Sequence, residues 1–299
     1  MTTTVAQVLS DARNYLMGAT HDVTNTLNTT LSNGTGTSVV FAVNDSKLLP
    51  AVGSTFEIDT EIFYVTAMST NTATVVRGFL GSTATSHTSA AVIRVDPKFY
   101  DAFNLRLLNN ELADLTAPDN GLFKQAHVDL TYNSAVQGYD LTSTSTVIDI
   151  LDVRVATSGP FKNWPRTEWE WARDMLTTDF ASGNAIIIKG RAEVGRTIRV
   201  WYKAPYTAVS ATTDTLESTA GMHAEAVDIP AIGVAIRAMA GAEVPRNFIQ
   251  AQGETRRSAE VPAGANSGAA NGLRQMRAQR IAAEAARLAA YWPGFRRHN

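Results

Sequence analysis

The sequence predicts an α+β fold in which a helical bundle core carries an inserted small antiparallel β module, a second β domain and an extended carboxy-terminal arm ending in a helix. Three observations predict it. Apolar residues recur with helical spacing in three separate segments, strand-like alternation begins near residue 38, and a Gly/Ala/Ser/Asn-rich stretch precedes an arginine-rich amphipathic tail. No strand–helix–strand unit repeats, which argues against a doubly wound sheet. With 299 residues, 44% of them hydrophobic, the chain is long enough for two domains.

The predicted bundle helices occupy residues 1–35, 97–120 and 209–245. Thr3 or Thr4 is the expected N-cap of the first helix, which ends before Gly18. Asp96-Pro97 has the composition of a second helix start, with aspartate as cap and proline at the first helical position. This second helix is apolar over more than half its circumference, which favours a site inside a bundle. The apolar stripe of the third consists of Ile229, Ile232, Ile236 and Met239.

Two regions show the period-two alternation of strands. The inserted β module takes residues 36–96, and its strand candidates are VVFAV, TFEID, EIFYVTA, TATVVRG and AAVIRV. The second β domain takes residues 121–208, with strand candidates TVIDILDVRVA, NAIIIKG and RTIRVWYKA; PRTEWEWARDM between them is interpreted as a short helix or an irregular loop. Glu57, Asp59 and Glu61 alternate within one segment, which predicts that all three lie on the same strand face.

The predicted arm, residues 246–299, differs in charge from the rest of the chain. Its nine basic residues are all arginine and it has three acids, so an acidic body of net −8 carries a tail of net +6. A tether rich in small residues precedes an amphipathic helix that ends at Pro293. Two interpretations stay open, a helix packed on its own domain and a helix that binds a partner. The predicted partner contacts are Arg256, Arg257, Arg274, Arg277, Arg280, Arg287, Tyr291, Trp292, Arg296 and Arg297.

The sequence contains none of the common catalytic, cofactor-binding or metal-binding motifs. It has no cysteine, its five histidines are scattered without metal-ligand spacing, and it lacks nucleophile-elbow, dinucleotide and phosphate-loop motifs. We therefore predict no catalytic, cofactor or metal site, and neither a signal peptide nor a membrane span. One alternative is a carbohydrate-binding or hydrolysing patch between Trp164 and Asp174, where three tryptophans lie beside three acids.

Two stretches resemble known proteins. The segment from Ile58 to Val95 resembles a β module of tailed-phage virion proteins through Ile58, Asp59, Glu61, Arg77, Gly78, Gly81, Thr83 and His87. The segment from Gly233 to Pro293 is similar to the carboxy-terminal half of head-to-tail adaptor (connector) proteins of siphophages that infect actinobacteria. This likeness rests on the helix before Gly241, the AQGETRR turn, the VPAG linker and the final arginine–alanine helix.

The resemblance implies a structural virion protein at the head–tail junction, made in the cytoplasm of the bacterial host. Its implied partners are the portal protein, neighbouring adaptor subunits in a dodecameric ring and a downstream neck or stopper protein, with no membrane contact. The carboxy-terminal arm would reach the portal, and its arginines could instead contact packaged DNA irrespective of sequence. The β module leaves open a second interpretation, a tail or baseplate structural protein.

Overall fold

The computed structural model describes residues 2–18, 21–32, 36–136, 138–141, 147–157, 164–251 and 265–291. The described α-helices are α1 (Val5–Met17), α2 (Asp101–Leu115), α3 (Ile229–Ala251) and α4 (Ala265–Tyr291). The strands are β1 (Val23–Thr26), β2 (Ser38–Val40), β3 (Thr55–Ile58), β4 (Glu61–Ser69), β5 (Thr72–Val76), β6 (Val92–Val95), β7 (Lys124–Thr131), β8 (Gly138–Asp140), β9 (Asp149–Val155), β10 (Trp169–Ala172), β11 (Ala185–Ile188) and β12 (Thr197–Ala204).

The chain divides into two compact units. The first unit comprises Met1–Glu111, Ala208–Thr219 and Ala224–Arg280. The second unit comprises Leu112–Thr207, Ala220–His223 and Ile281–Asn299.

The first unit contains a six-stranded sheet with the order β1-β6-β3-β4-β5-β2, in which every pair is antiparallel. One face of this sheet carries a core of apolar side chains, in which the ring of Phe56 contacts those of Phe41 and Phe63. The alternation of the predicted module therefore produces β2 to β6, as expected. The edge strand β1 lies within residues 1–35, which the sequence analysis assigns to the bundle helices; its polar Thr/Asn-rich residues hide the alternation of a strand.

The first helix begins as predicted. Thr4 is the N-cap of α1, and Gln7 completes a capping box with it. The chain leaves the helix at Gly18, where φ is +59°. α1 packs against α3 within the first unit, and the buried residues of α1 are Val5, Val8, Leu9 and Ala12.

The second helix does not begin at Asp96-Pro97. Asp96 has a φ of +48°, and α2 starts at Asp101. Its first N–H groups are capped from a distant strand, since Glu57 accepts hydrogen bonds from the backbone of Asp101 and Ala102, both at 2.8 Å. A cap that comes from 44 residues away along the chain leaves no local signal, which explains the wrong prediction.

The second unit contains two three-stranded antiparallel sheets, β7-β12-β9 and β10-β11-β8, which share one core. In β12 the buried and half-buried residues alternate strictly, with Ile198, Val200 and Tyr202 facing the core. The segment interpreted as a short helix or loop contains strand β10 instead. Its two tryptophans, Trp169 and Trp171, pack against this core.

The predicted helical bundle core is wrong. The described residues form three antiparallel sheets, and the two large hydrophobic cores consist mainly of side chains from these sheets and not from a helical bundle. The apolar stripes exist, because Leu108, Leu112 and Leu115 of α2 are buried. A broad apolar stripe indicates only that this side of a helix is buried. The stripe does not show whether the element packed against it is a helix or a sheet.

The extended arm also differs from the prediction. α4 begins at Ala265, so residues 265–272, assigned to the tether from their composition, are helical. The described part of the predicted arm therefore consists of the end of α3 and the whole of α4. Five predicted contact residues lie outside the described residues: Arg256, Arg257, Trp292, Arg296 and Arg297.

Candidate functional site

Five of the eight residues that carry the likeness to the virion β module form a cluster around the carboxylate of Glu61, which is completely buried. Arg77 binds this carboxylate with two parallel hydrogen bonds, Nε to Oε1 and Nη2 to Oε2, both 2.8 Å long. Glu61 also accepts the backbone N–H of Thr85 at 2.9 Å and that of Gly78 at 3.3 Å. Burial raises the pKa of Glu61, but the bonds from Arg77, His87 and Thr85 outweigh it and lower the pKa to about 2.

Arg77 joins three chain segments through this cluster. Besides the Glu61 carboxylate at the start of β4, its guanidinium donates to the carbonyl of Ser32 at 2.7 Å and to the carbonyl of Thr85. The guanidinium carbon also lies 5.6 Å from the centre of the Phe63 ring, at the edge of the sheet core. A planar group with five donors suits such a junction, and lysine could not reproduce it.

His87 completes the cluster and is only 2% exposed. Its Nδ1 lies 2.7 Å from Asp59 Oδ2 and its Nε2 lies 2.9 Å from Glu61 Oε2. Burial lowers the pKa of His87, but the hydrogen bonds to Asp59 and Glu61 outweigh it and raise the pKa above its ordinary value. Both ring nitrogens lie at hydrogen-bond distance from carboxylates, so the protonated imidazole donates from each of them. The Thr85 hydroxyl lies 3.4 Å from Nε2.

The three alternating carboxylates are not on one strand face, contrary to the prediction. The chain turns at Asp59, where φ is +54°, between β3 and β4. Glu61 pairs across this turn with Ile58 and shares its face with the sheet core, whereas Glu57 points to α2. The turn inside the alternating run explains the error, because a period-two pattern alone does not show where a strand ends.

Glu57 belongs to a second buried cluster at the start of α2. Burial and the neighbouring Asp101 carboxylate raise the pKa of Glu57 to about 8. Asp101 in turn accepts from Arg13 Nη2 at 2.5 Å and from Arg94 Nη1 at 2.9 Å. This cluster ties α1, β3, β6 and α2 together, and it is a structural network with every carboxylate engaged.

The predicted contact residues on α4 have partners within the chain. Arg277 Nε lies 2.6 Å from Oε1 of Glu111, a buried residue of α2 that also accepts from Arg237 at 3.0 Å. Arg280 binds the Asp228 carboxylate with bonds of 2.7 and 2.9 Å. These pairs favour the interpretation in which the terminal helix packs on its own domain, at least over the first half of α4.

The other predicted contacts on α4 are placed differently. Arg287 pairs with Glu284 on the same helix at 2.7 Å, and Arg274 donates to Asn271 at 2.8 Å. The side chain of Tyr291 is 71% exposed. Arg274 and Tyr291 are therefore the described members of the set that remain most accessible.

The tryptophan-rich patch does not form one cleft. Trp169 and Trp171 pack against the core of the second unit, and Glu170 pairs with Lys189 at 2.9 Å. Trp164 instead has the guanidinium of Arg199 5.1 Å from its ring centre. The density of tryptophan in the sequence therefore reflects packing at two separate places.

A surface that the sequence analysis missed lies on the outward side of β7, β12 and β9. Arg199 binds Asp129 through two bonds of 2.6 Å, and this hydrogen bonding lowers the pKa of Asp129. Arg154 and Arg199 both lie over the Trp201 ring, with distances of 5.4 and 5.8 Å to its centre. The signal was the alternation in RTIRVWYKA, whose outward positions hold arginine, tryptophan and lysine.

Among the described residues, no group of three or more His, Asp or Glu side chains is placed to hold a metal ion. Within the same part of the chain, no helix combines the length and apolarity needed to cross a membrane. No protein-family model matches the chain. A search of curated proteins likewise found no significant match.

Proposed function

We propose that the chain is a non-enzymatic structural protein of a tailed-phage virion, a head-to-tail adaptor that docks on the portal ring and joins capsid to tail. One observation carries the proposal. Five of the eight residues that give the β module its likeness to virion proteins bind each other around Glu61, namely Asp59, Glu61, Arg77, Gly78 and His87. A motif whose members satisfy each other acts by fixing a shape, which suits a protein that works through its surfaces.

The perturbed groups of the first unit support a structural role for the same reason. The carboxylate of Glu61 and the imidazole of His87 are both buried and bonded to protein groups. A catalytic acid or base needs a free position directed at a substrate, and neither group has one. The pKa shifts here result from folding contacts, so they give no support to an enzyme.

The proposed partners are the portal, neighbouring adaptor subunits in a dodecameric ring and a downstream neck or stopper protein. Arg277 and Arg280 hold α4 to the first unit through Glu111 and Asp228, so we assign portal contact to the more accessible Arg274 and Tyr291. Arginine and tyrosine are both favoured at protein interfaces. Contact with packaged DNA is a secondary role for the arginines of the tail.

Labelled electron microscopy tests where the protein lies. An epitope inserted between Val194 and Gly195 would be displayed in an exposed turn, since Val194 is 67% exposed and the Cα of Gly195 faces open space. Gold at the head–tail junction is the expected result. Gold at the tail tip would move the protein to the tail or baseplate, and particles without gold despite a detectable epitope would contradict a virion role.

Binding to purified portal rings tests the docking surface. We expect Arg274→Glu and Tyr291→Ser to weaken co-sedimentation with portal rings while leaving the melting temperature unchanged, because both side chains are accessible. Arg191→Glu is the matched control, as Arg191 is an exposed arginine outside α4. Equal binding by all three variants would refute the assignment of α4 as the portal contact.

A further inference from the structure

An aromatic surface lies beside the Arg-Gly turn of the first unit. The rings of Tyr64 and Phe79 are 5.0 Å apart, and those of Tyr100 and Phe103 are 5.5 Å apart. The Tyr100 hydroxyl lies 2.6 Å from the hydroxyl of Thr55, which is the cross-strand partner of Tyr64, so the two ring pairs adjoin. We call this surface the aromatic face; it consists of Tyr64, Val76, Phe79, Leu80, Tyr100 and Phe103.

The aliphatic members of the aromatic face are turned to solvent. Val76 is 49% exposed and Leu80 is 51% exposed, while the four rings are half-buried. Large apolar groups that adjoin each other at a surface mark interaction sites more often than isolated ones do. The aromatic face is therefore a candidate contact surface.

Leu80 carries a conformational cost that its own burial does not offset. Its φ of +54° and ψ of 26° lie in the left-handed region, where a residue with a Cβ is strained because the Cβ approaches the following carbonyl oxygen. Glycine would adopt this conformation without that cost. A leucine held there with half of its side chain exposed is expected where the side chain itself makes a contact outside the fold.

A positive charge borders the aromatic face. The guanidinium of the exposed Arg106 lies 5.3 Å from the centre of the Phe103 ring, and its Nη2 lies 3.4 Å from the carbonyl oxygen of Gly81. The described residues provide Arg106 with no ion pair, unlike Arg77 or Arg94 in the same unit. A fitting partner therefore offers an apolar side chain next to a carboxylate.

The chain itself displays a segment of that chemistry. In the hairpin between β10 and β11, Met175 and Leu176 are 36% and 71% exposed, and they are adjacent. Asp174 and Asp179 flank them, and neither forms an ion pair with the described residues. Backbone bonds from Met175 to Gly183 and from Asp179 to Leu176, both 3.0 Å, hold the turn in one shape. We call Asp174, Met175, Leu176 and Asp179 the acidic hairpin.

We propose that the acidic hairpin of one copy docks on the aromatic face of a second copy, with Leu176 against Leu80 and Asp179 paired with Arg106. The two surfaces differ, so the contact is heterologous and can pass from copy to copy into a closed ring or an open filament. Its biological role rests on the proposed function, since an adaptor ring needs contacts between neighbours. A contact of this size is weak between free copies. It forms when several copies are held close together on one assembly, because their effective concentration is then high.

Disulfide trapping tests the contact directly, because the native chain has no cysteine. Differently tagged Leu80→Cys and Leu176→Cys proteins are mixed, oxidised and scored for the mixed disulfide. Docking would bring the two sulfurs within bonding reach, so we expect about tenfold more mixed product than in control mixtures. The controls replace one partner by Val52→Cys or Val194→Cys, whose parent side chains are 60% and 67% exposed. Equal yields would overturn the proposal.

Charge reversal supplies a second test in the same assay. Arg106→Glu in the Leu80→Cys protein is expected to lower the trapped yield, and Asp179→Arg in the Leu176→Cys protein to restore it. Loss without rescue would contradict the pairing of these two residues. Gold at the tail tip combined with specific trapping would refute the adaptor role and keep this contact, so the two failures are distinguishable.

Leu80→Gly separates binding from folding. Removing the left-handed leucine is expected to raise the melting temperature, while loss of its side chain lowers self-association measured by sedimentation at high concentration. A variant that self-associates as strongly as the native chain would overturn the role of Leu80. The proposal would also be overturned if the aromatic face of the native chain bound another protein and did not bind a second copy of this chain.

Discussion

Replacing Arg77 by methionine removes the central cation of the Glu61 cluster while keeping a long apolar stem. The change deletes two bonds to the buried Glu61 carboxylate and the bonds to the carbonyl groups of Ser32 and Thr85. Glu61 would keep only His87 and two backbone N–H groups as partners. A buried carboxylate that loses its main cation is left partly uncompensated.

Two estimates give the magnitude of the loss. Removing one partner of a buried ion pair costs about 3–5 kcal/mol. Arg77, His87 and Thr85 together hold the pKa of Glu61 at about 2 in place of its ordinary 4.5, which corresponds to about 3 kcal/mol of stability in which Arg77 has the largest part. A depressed carboxyl pKa stabilises the fold above the unfolded value, and this contribution is lost as the pH falls from 4.5 through about 2. We therefore expect a loss of about 3 kcal/mol near pH 7 that shrinks toward pH 2.

Hydrogen exchange measured by mass spectrometry is the appropriate assay. All five tryptophans lie at residue 164 or later, so their fluorescence does not report on the six-stranded sheet. Amide protons of β4 (Glu61–Ser69) do report on it, and a loss of about 3 kcal/mol would accelerate their exchange about a hundredfold.

Two controls sharpen the result. Arg77→Lys keeps the charge but cannot form the two parallel bonds, so it should cost about 1–2 kcal/mol. Arg191→Met changes an exposed loop arginine of the second unit and should leave β4 exchange within about 0.5 kcal/mol. If Arg77→Met changed the opening free energy of β4 by less than about 1 kcal/mol, the cluster would not stabilise the sheet and the reasoning would fail.

Further predictions concern the buried Glu57, the cluster histidine His87 and two glycines in the helices α3 and α4. The pKa of Glu57 is raised to about 8, so its contribution is present below 4.5 and lost as the pH rises through about 8; Glu57→Gln has no such titration, and melts from pH 5 to 8.5 should show it losing less stability with rising pH than the native chain. The pKa of His87 is also raised, so its stabilisation is present below 6.5 and lost at higher pH, and His87→Gln should flatten the alkaline slope. A Cβ at Gly233 would lie 2.0 Å from the Glu111 carboxyl carbon, so Gly233→Ala should cost about 2 kcal/mol in urea unfolding despite better helix propensity. Gly268→Ala, with open space at its Cα, should be neutral or stabilising.

The sequence was informative where the determinant was local. Thr3 or Thr4 as the expected N-cap predicted the start of α1, and alternating apolar residues predicted β2 to β6, because capping and side-chain period act over a few residues. The start of α2 depended on Glu57, far along the chain, and the helical bundle was inferred from stripe width alone. Neither the distant cap nor the element that covers a stripe is encoded locally.

The same limit applied to the candidate sites. The motif that contains Glu61, Arg77 and His87 was recognised from its sequence pattern. Its ion pairs join positions 16 to 28 residues apart, so they became evident only in the structure. The arginines of α4 were singled out as partner contacts from their density. In the structure Arg277 binds Glu111 and Arg280 binds Asp228. These acids are remote in sequence from α4, so the arginine density alone could not indicate them.

The Glu57 cap makes the β module an integral part of the first unit and not a removable insertion. Deleting residues 36–96 would take away the acceptor for the first N–H groups of α2, and it would also take Arg94 from Asp101. A graft of the module into another protein would have to bring the first turn of the following helix with it. Gain or loss of such a module over evolution is therefore constrained by the helix that it completes, and a viable deletion would need a new N-cap at the start of α2.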